Sequence, residues 1–148
     1  MGVREDLVQQ MKEAAKAGDK ECLSVIRLVL AAVKNKEKEL RREPKDEEVL
    51  QVISSMIRQG KEAIEQFRSG GRDDLVEKEE REIGILQSFL PPPLSPEELD
   101  QEIERAIQEV GADSPRDMGK VMKLLMSRLA GRVDGRTLSD KVKRRLSG

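Results

Sequence analysis

Apolar residues recur along the chain at steps of three and four, the period of amphipathic helices, and no stretch shows the period of two that a half-buried strand requires. The spacing predicts a first helix over about 3–17, with Leu7, Met11 and Ala14 or Ala15 on one face and Gly18 as its left-handed end. Asp19 is placed to cap a second helix, whose segment 22–33 is apolar except at Ser24 and Arg27. A segment apolar nearly all round predicts a helix in the middle of a bundle. Arg27 has two outlets there, to snorkel outward along its stem or to meet a neighbouring carboxylate, and the expectation is a core-edge ion pair. Charges then alternate from Lys34 to Glu43, which predicts a helix emerging into solvent before Pro44 stops it.

Asp46 is placed to cap a third helix in which Leu50, Ile53, Ile57, Gly60, Ile64 and Phe67 form a seam for one antiparallel partner. A glycine inside a helix costs about 1 kcal/mol against alanine, so Gly60 on that seam predicts close approach of another helix. Gly70-Gly71 makes the turn, and a fourth helix over about 74–89 returns Val76, Ile83, Leu86 and Leu90 to the seam. Its outer face carries Glu77, Glu79, Glu80 and Glu82, a charge run read as solvated surface rather than as an acid/base pair.

Pro91-Pro92-Pro93 marks a boundary, because proline cannot continue a helix and disfavours helix in the residue before it. The expected fold class is all-α: an N-terminal helical bundle of about four helices over 1–90, a Pro-rich linker over 91–94, and a small basic three-helix domain over 95–148. The fifth helix has the strongest start signal in the chain, with Ser95 as N-cap, Pro96 at the first position, Glu98 closing a capping box and Leu94 stapled against Leu99. Leu99, Ile103, Ala106, Ile107 and Val110 line its face, and Gly111 ends it. Ser114-Pro115 with Asp117 repeats the start logic for a sixth helix holding Met118, Val121, Met122, Leu125 and Leu129. Gly131 breaks the chain, Asp134 is placed to cap, and Leu138, Val142 and Leu146 give the last helix one apolar edge.

Composition narrows the chemistry. With 148 residues the chain can bury a core, as one domain or one plus a small appendage. A single cysteine, Cys22, rules out an intramolecular disulfide framework and fits a reducing compartment, for which the cytoplasm is the expectation. The longest uncharged stretch, Ile83 to Pro96, is short and interrupted by prolines, and the N-terminus shows no apolar signal region, so neither a membrane span nor a signal peptide is expected. The absence of histidine removes Ser-His and Cys-His nucleophile pairs and His-ligated metals. Neither the dinucleotide fingerprint nor the P-loop occurs. No catalytic residue, cofactor-binding residue or metal ligand is therefore assigned. With no Tyr or Trp, platforms for stacking unpaired bases are nearly lacking.

Charge adds one positive feature. From Arg116 to Arg145 ten Lys or Arg stand against three Asp, a net +7, whereas the first 115 residues hold 18 basic and 26 acidic residues, a net −8. A compact basic block on an otherwise acidic body is a candidate surface for a polyanion. The same residues also suit helix C-termini and a solvated surface.

Leu23-Ser-Val-Ile-Arg27, Arg72-Asp-Asp-Leu75, Leu90-Pro91 followed by Leu94-Ser95, Glu109-Val-Gly111, Asp117-Met-Gly-Lys-Val-Met122 and Gly131-Arg-Val-Asp-Gly135 occur in this order, and together they resemble the GatB/YqeY family. The similarity covers almost the whole chain of stand-alone YqeY-like members and the tail region of the tRNA-dependent amidotransferase B subunit. The chain departs from the family pattern at Pro93, where Gln is frequent, at Ser127, where Pro is common, and at Val133, where Ala is usual. The Ser127 departure puts the end of the sixth helix in question. The resemblance implies an all-helical fold in two parts and a tRNA-contacting appendage, with glutamine hydrolysis and phosphoryl activation residing in other domains and subunits. Its label of carbon–nitrogen ligase with glutamine as amido donor then describes the company such a domain keeps.

Three readings follow. In the first, the chain binds tRNA or another structured RNA, with Lys120, Lys123, Arg128, Arg132, Arg136, Lys141, Lys143 and Arg144 on phosphates and Gly119, Gly131 and Gly135 permitting close backbone approach. In the second it is a non-catalytic component of an amidotransferase complex. In the third it is a helical protein-binding adaptor. The oligomeric state is left open.

Overall fold

The computed structural model describes residues 2–148. These form seven α-helices: α1 Val3–Ala17, α2 Lys20–Leu40, α3 Asp46–Ser69, α4 Asp73–Gln87, α5 Pro96–Val110, α6 Met118–Arg128 and α7 Gly135–Ser147, with a 3-10 turn at Pro115–Asp117. No strand occurs among the described residues, so the fold is all-α. No helix among them is long and apolar enough to cross a membrane. Contacts divide the chain into two units, Met1–Leu90 and Pro91–Gly148.

In the first unit α3 and α4 make the most extensive pairing, and α1, α2 and α3 complete the packing around Val25, Ile26, Val29, Val33, Ile53 and Ile83. A Cβ on Gly60 would lie 2.9 Å from Glu79 Oε1 and 3.0 Å from Ile83 Cγ1, so the hairpin does close tightly over this glycine. Two register expectations change. Val49, rather than Leu50, begins the buried seam of α3, continuing the steps of four that place Val49, Ile53 and Ile57 on one face. The N-cap is Lys45, and Glu48 accepts its backbone N–H at 2.9 Å. Asp46 is thereby free to accept the Val3 N–H at 3.0 Å, which caps α1 from another helix. Arg42 donates to both oxygens of Glu48 at 2.7 and 3.0 Å. That guanidinium, helped by the Lys45 N–H, pulls the Glu48 carboxyl down to about 2.

Helix α2 is not surrounded, as its apolar run had predicted. It packs on α1, α3 and α4 and leaves one face open, where Leu28 is 55% exposed. Arg27 lies on that open face without an ion pair among the described residues, so the expected core-edge pair does not form and the guanidinium reaches outward. The run misled because alanines at 31 and 32 count as apolar while demanding little burial. The helix ends at Arg41, whose left-handed backbone (φ 57°) directs its N–H to the Glu37 carbonyl at 2.8 Å.

In the second unit the capping box at Ser95 and Glu98 is formed by reciprocal bonds of 3.1 and 3.2 Å. Leu99, Ile103, Ile107, Val121, Leu125, Leu138 and Val142 build a separate core, with Leu94 packed against it. Ser114 does not cap α6. Its residues open the 3-10 turn instead, and the Asp117 carboxylate turns back to accept the Asp113 N–H at 3.1 Å. That bond, the first of several local ones, holds Asp117 below its ordinary range. Gly131 adopts φ 77°, which a side chain would strain, and Asp134 caps α7 through the Thr137 N–H at 3.2 Å.

Candidate nucleic-acid interface

Helices α6 and α7 are each amphipathic in the simplest way. Val121, Leu125 and Leu129 put one side of α6 into the core, and the helical period sends Lys120, Lys123 and Ser127 to the opposite side. On α7 the buried edge is Leu138, Val142 and Leu146, which turns Arg136, Lys143 and Arg144 away from it. The basic block is thus split by periodicity into two outward rows.

Ion pairing then sorts the cations into two sets. Helix α5 presents Asp100 and Glu104, one turn apart, to Lys141 and Arg145, one turn apart on α7. Asp100 takes Lys141 at 3.0 Å, and Glu104 takes Arg145 in a two-pronged pair. The Arg145 guanidinium keeps the Glu104 carboxyl below its ordinary range, and the Arg145 pKa is raised in return. Arg128 meets Glu109 at 2.5 Å. Arg132 donates from Nε to the Pro92 carbonyl at 2.9 Å, and its own carbonyl accepts the Leu94 N–H at 3.1 Å, which pins 92–94 to the α6–α7 turn. Among the sequence-predicted phosphate contacts, Arg128, Arg132 and Lys141 are therefore occupied in holding the unit together.

Lys120, Lys123, Arg136, Lys143 and Arg144 are exposed and have no ion pair among the described residues. Arg116, in the 3-10 turn, joins them. Reading the sequence counted Arg116 in the basic block but passed over it as a contact. Asp113, three residues before it, is the one carboxylate at helical spacing from Arg116, and no ion pair between them occurs among the described residues. Asp113, Asp134 and Asp140 are the carboxylates exposed in this stretch, Asp134 as the cap of α7 and Asp140 within one turn of Arg136, Lys143 and Arg144.

The three glycines part company. Gly119 is exposed with nothing within 4 Å of a would-be Cβ, so open backbone lies beside Lys120. Gly131 is buried in the turn and offers no surface. At Gly135 a Cβ would sit 3.7 Å from Met126 Cε, an ordinary packing distance at the start of α7.

The charge asymmetry is also relocated. Residues 1–90 hold 17 basic and 19 acidic side chains, close to neutral, whereas 91–148 hold 11 and 10. The strongest separation of charge lies within the second unit, where α5 carries six carboxylates and Arg105 against the +7 of 116–145. One flank of α7 is neutralised by α5, and the flank turned away from α5 is left cationic.

These features define an all-α protein whose C-terminal three-helix unit exposes a surface on which unpaired cations outnumber the exposed carboxylates. The family described as Yqey-like protein matches residues 4–146, and the chain belongs to that family, as its motifs implied. It is similar to proteins named "Altered inheritance of mitochondria protein 41, mitochondrial". That of Pyrenophora tritici-repentis is 30% identical over 139 residues, covering 92% of this chain and 76% of the relative. That of Kluyveromyces lactis is 33% identical over 140 residues, 93% of this chain and 72% of the relative. That of Saccharomyces cerevisiae strain YJM789 is 31% identical over 131 residues, 86% and 68%. These names overturn the expectation of a cytoplasmic protein, since the relatives are mitochondrial. A single free cysteine fits any reducing compartment and does not separate one from another.

Proposed function

We propose that this YqeY-like protein is a module for structured RNA, tRNA by the family resemblance, with no catalytic step of its own. The observation that supports it is the set of six exposed cations on α6, α7 and the preceding turn that have no ion pair among the described residues: Arg116, Lys120, Lys123, Arg136, Lys143 and Arg144. Each is a point or fork of positive charge on a rigid element, suited to phosphate oxygens. Gly119 leaves room for a backbone to approach beside Lys120. With no Tyr or Trp in the chain, recognition is by the shape and charge of the folded RNA rather than by stacking on bases. Arg128, Arg132 and Lys141 act as positioning residues. In this reading any chemistry on the bound RNA belongs to another polypeptide, and a glutamine-dependent amidotransferase is the partner the resemblance names.

The test is binding of labelled bulk tRNA by the full chain at several salt concentrations. Neutralising about five phosphates predicts that log affinity falls with log salt at a slope of roughly −4. Changing Lys120, Lys123, Arg136 and Lys143 together to Gln is expected to flatten that slope without shifting the thermal midpoint. Binding indifferent to salt, or unaffected in this variant, would overturn the proposal.

A further inference from the structure

A second surface in the first unit repeats the pattern by a different route. Helix α2 has three carboxylates, and all three are held in ion pairs: Glu21 with Arg81 of α4 at 3.0 Å, Glu37 with Arg4 of α1 at 2.6 Å, and Glu39 with Lys36 at 3.7 Å. Its other cations, Lys20, Arg27, Lys34 and Lys38, are exposed and unpaired among the described residues. At 3.6 residues per turn these four fall within about 40° of one another, on the face opposite the buried Val25, Ile26, Val29 and Val33. No carboxylate of α2 shares that face. Ser24 and Ala31, small and exposed, lie between the cations. At 1.5 Å per residue the row from Lys20 to Lys38 is about 27 Å long. It ends at an open depression of about 540 Å³ lined by Arg4, Glu37, Lys38, Arg41, Arg42 and Glu43.

We propose that the open face of α2, with Arg27, Lys34 and Lys38 at its centre, is a second contact surface for the phosphate backbone of structured RNA. This rests on the RNA-binding reading above. Charge complementarity selects the occupant, because a row of cations cleared of its carboxylates matches an extended polyanion. A bilayer fits poorly, since the apolar face of α2 is buried in the core and Leu28 is the one large exposed hydrophobic side chain among the described residues. A protein partner would find only that leucine as an apolar anchor. Here Arg27, unexplained as a core-edge residue, acquires a role.

The experiment compares the full chain, an Arg27→Gln/Lys34→Gln/Lys38→Gln variant and the quadruple Gln variant of α6–α7, each titrated with labelled bulk tRNA at four or more salt concentrations. Equal thermal midpoints establish that the variants fold. In parallel, acetylation of the unaltered protein with and without tRNA is followed by mass spectrometry, with exposed Lys61 on α3 as the control. The expected result is affinity about tenfold lower for the α2 variant, a salt slope shallower by roughly two to three, and protection of Lys34 and Lys38 but not Lys61. If the quadruple variant loses binding while the α2 variant and its lysines are unaffected, this inference falls and the α6–α7 surface stands. If only the α2 variant loses binding, the α6–α7 assignment falls and this one stands. Failure of the unaltered protein to bind tRNA at low salt overturns both, as does a preference for anionic vesicles or polyglutamate.

Discussion

Helices α2 and α7 reach the same surface character from opposite starting points. Helix α7 is basic by sequence, and the protein removes part of that charge: Lys141 and Arg145 are tied to Asp100 and Glu104 of α5, leaving Lys143 and Arg144 free. Helix α2 is mixed by sequence, and the protein removes its carboxylates instead, through Arg4 of α1, Arg81 of α4 and its own Lys36. A count of charges along the chain separates the two helices, whereas a count of unpaired charges makes them alike. Exposed ion pairs contribute little stability each, about 0.2–1 kcal/mol, yet they decide which charges a partner meets.

The largest effect should come from the cores that hold these faces in place. Leu138→Ala in α7 and Ile26→Ala in α2, both fully buried, are each expected to cost about 3 kcal/mol in denaturant unfolding followed by circular dichroism. The loss of helicity at moderate temperature should be more evident for Leu138→Ala, because the second unit buries the smaller core. Equal, negligible shifts would mean that the faces do not depend on these cores. Next in size, Gly60→Leu should cost about 2 kcal/mol or more by forcing α3 from α4 at Glu79 and Ile83. It should also loosen Arg81 from Glu21, so a charge-sensitive probe of α2 would change with it.

Pairs of neighbours in α7 give a finer test. Lys143→Gln/Arg144→Gln is expected to weaken tRNA binding several-fold with an unchanged thermal midpoint. Lys141→Gln/Arg145→Gln should lower the midpoint slightly and leave the tRNA affinity nearer that of the unaltered chain. If the two double variants behave alike, ion pairing does not sort these cations.

The smallest expected effect is on pH. Glu104 has its folded pKa depressed by Arg145, so its contribution is present above the unfolded value near 4.3 and is lost as pH falls through the lower folded value. The unfolding free energy should therefore fall between about pH 5 and pH 3 by slightly less in Glu104→Gln than in the unaltered chain, a difference of about a few tenths of a kcal/mol in denaturant titrations. A steeper fall in the variant would refute the assignment.

Much of this architecture was legible in the residues. The steps of three and four located all seven helices, and the box at Ser95 and Glu98 formed as read, because both signals act within a few residues. The motifs Asp117-Met-Gly-Lys-Val-Met122 and Gly131-Arg-Val-Asp-Gly135, with four further stretches in order, indicated the family. Errors collected where a distant residue intervened. Asp46 was read as the cap of its own helix and instead caps α1, and Arg27 was expected in a core-edge ion pair but reaches outward without one among the described residues. Of the eight cations assigned to RNA, three proved to be engaged within the second unit, and Arg116 was overlooked.

What the sequence alone determined is the helical period, the capping box that starts α5 and the total charge, since none of these depends on residues distant along the chain. The tertiary structure decided which charges remain unpaired, because an ion pair such as Glu104 with Arg145 or Glu21 with Arg81 joins residues about 40 and 60 positions apart. Coulomb attraction is settled by distance in space, and only packing of the helices brings those groups within reach.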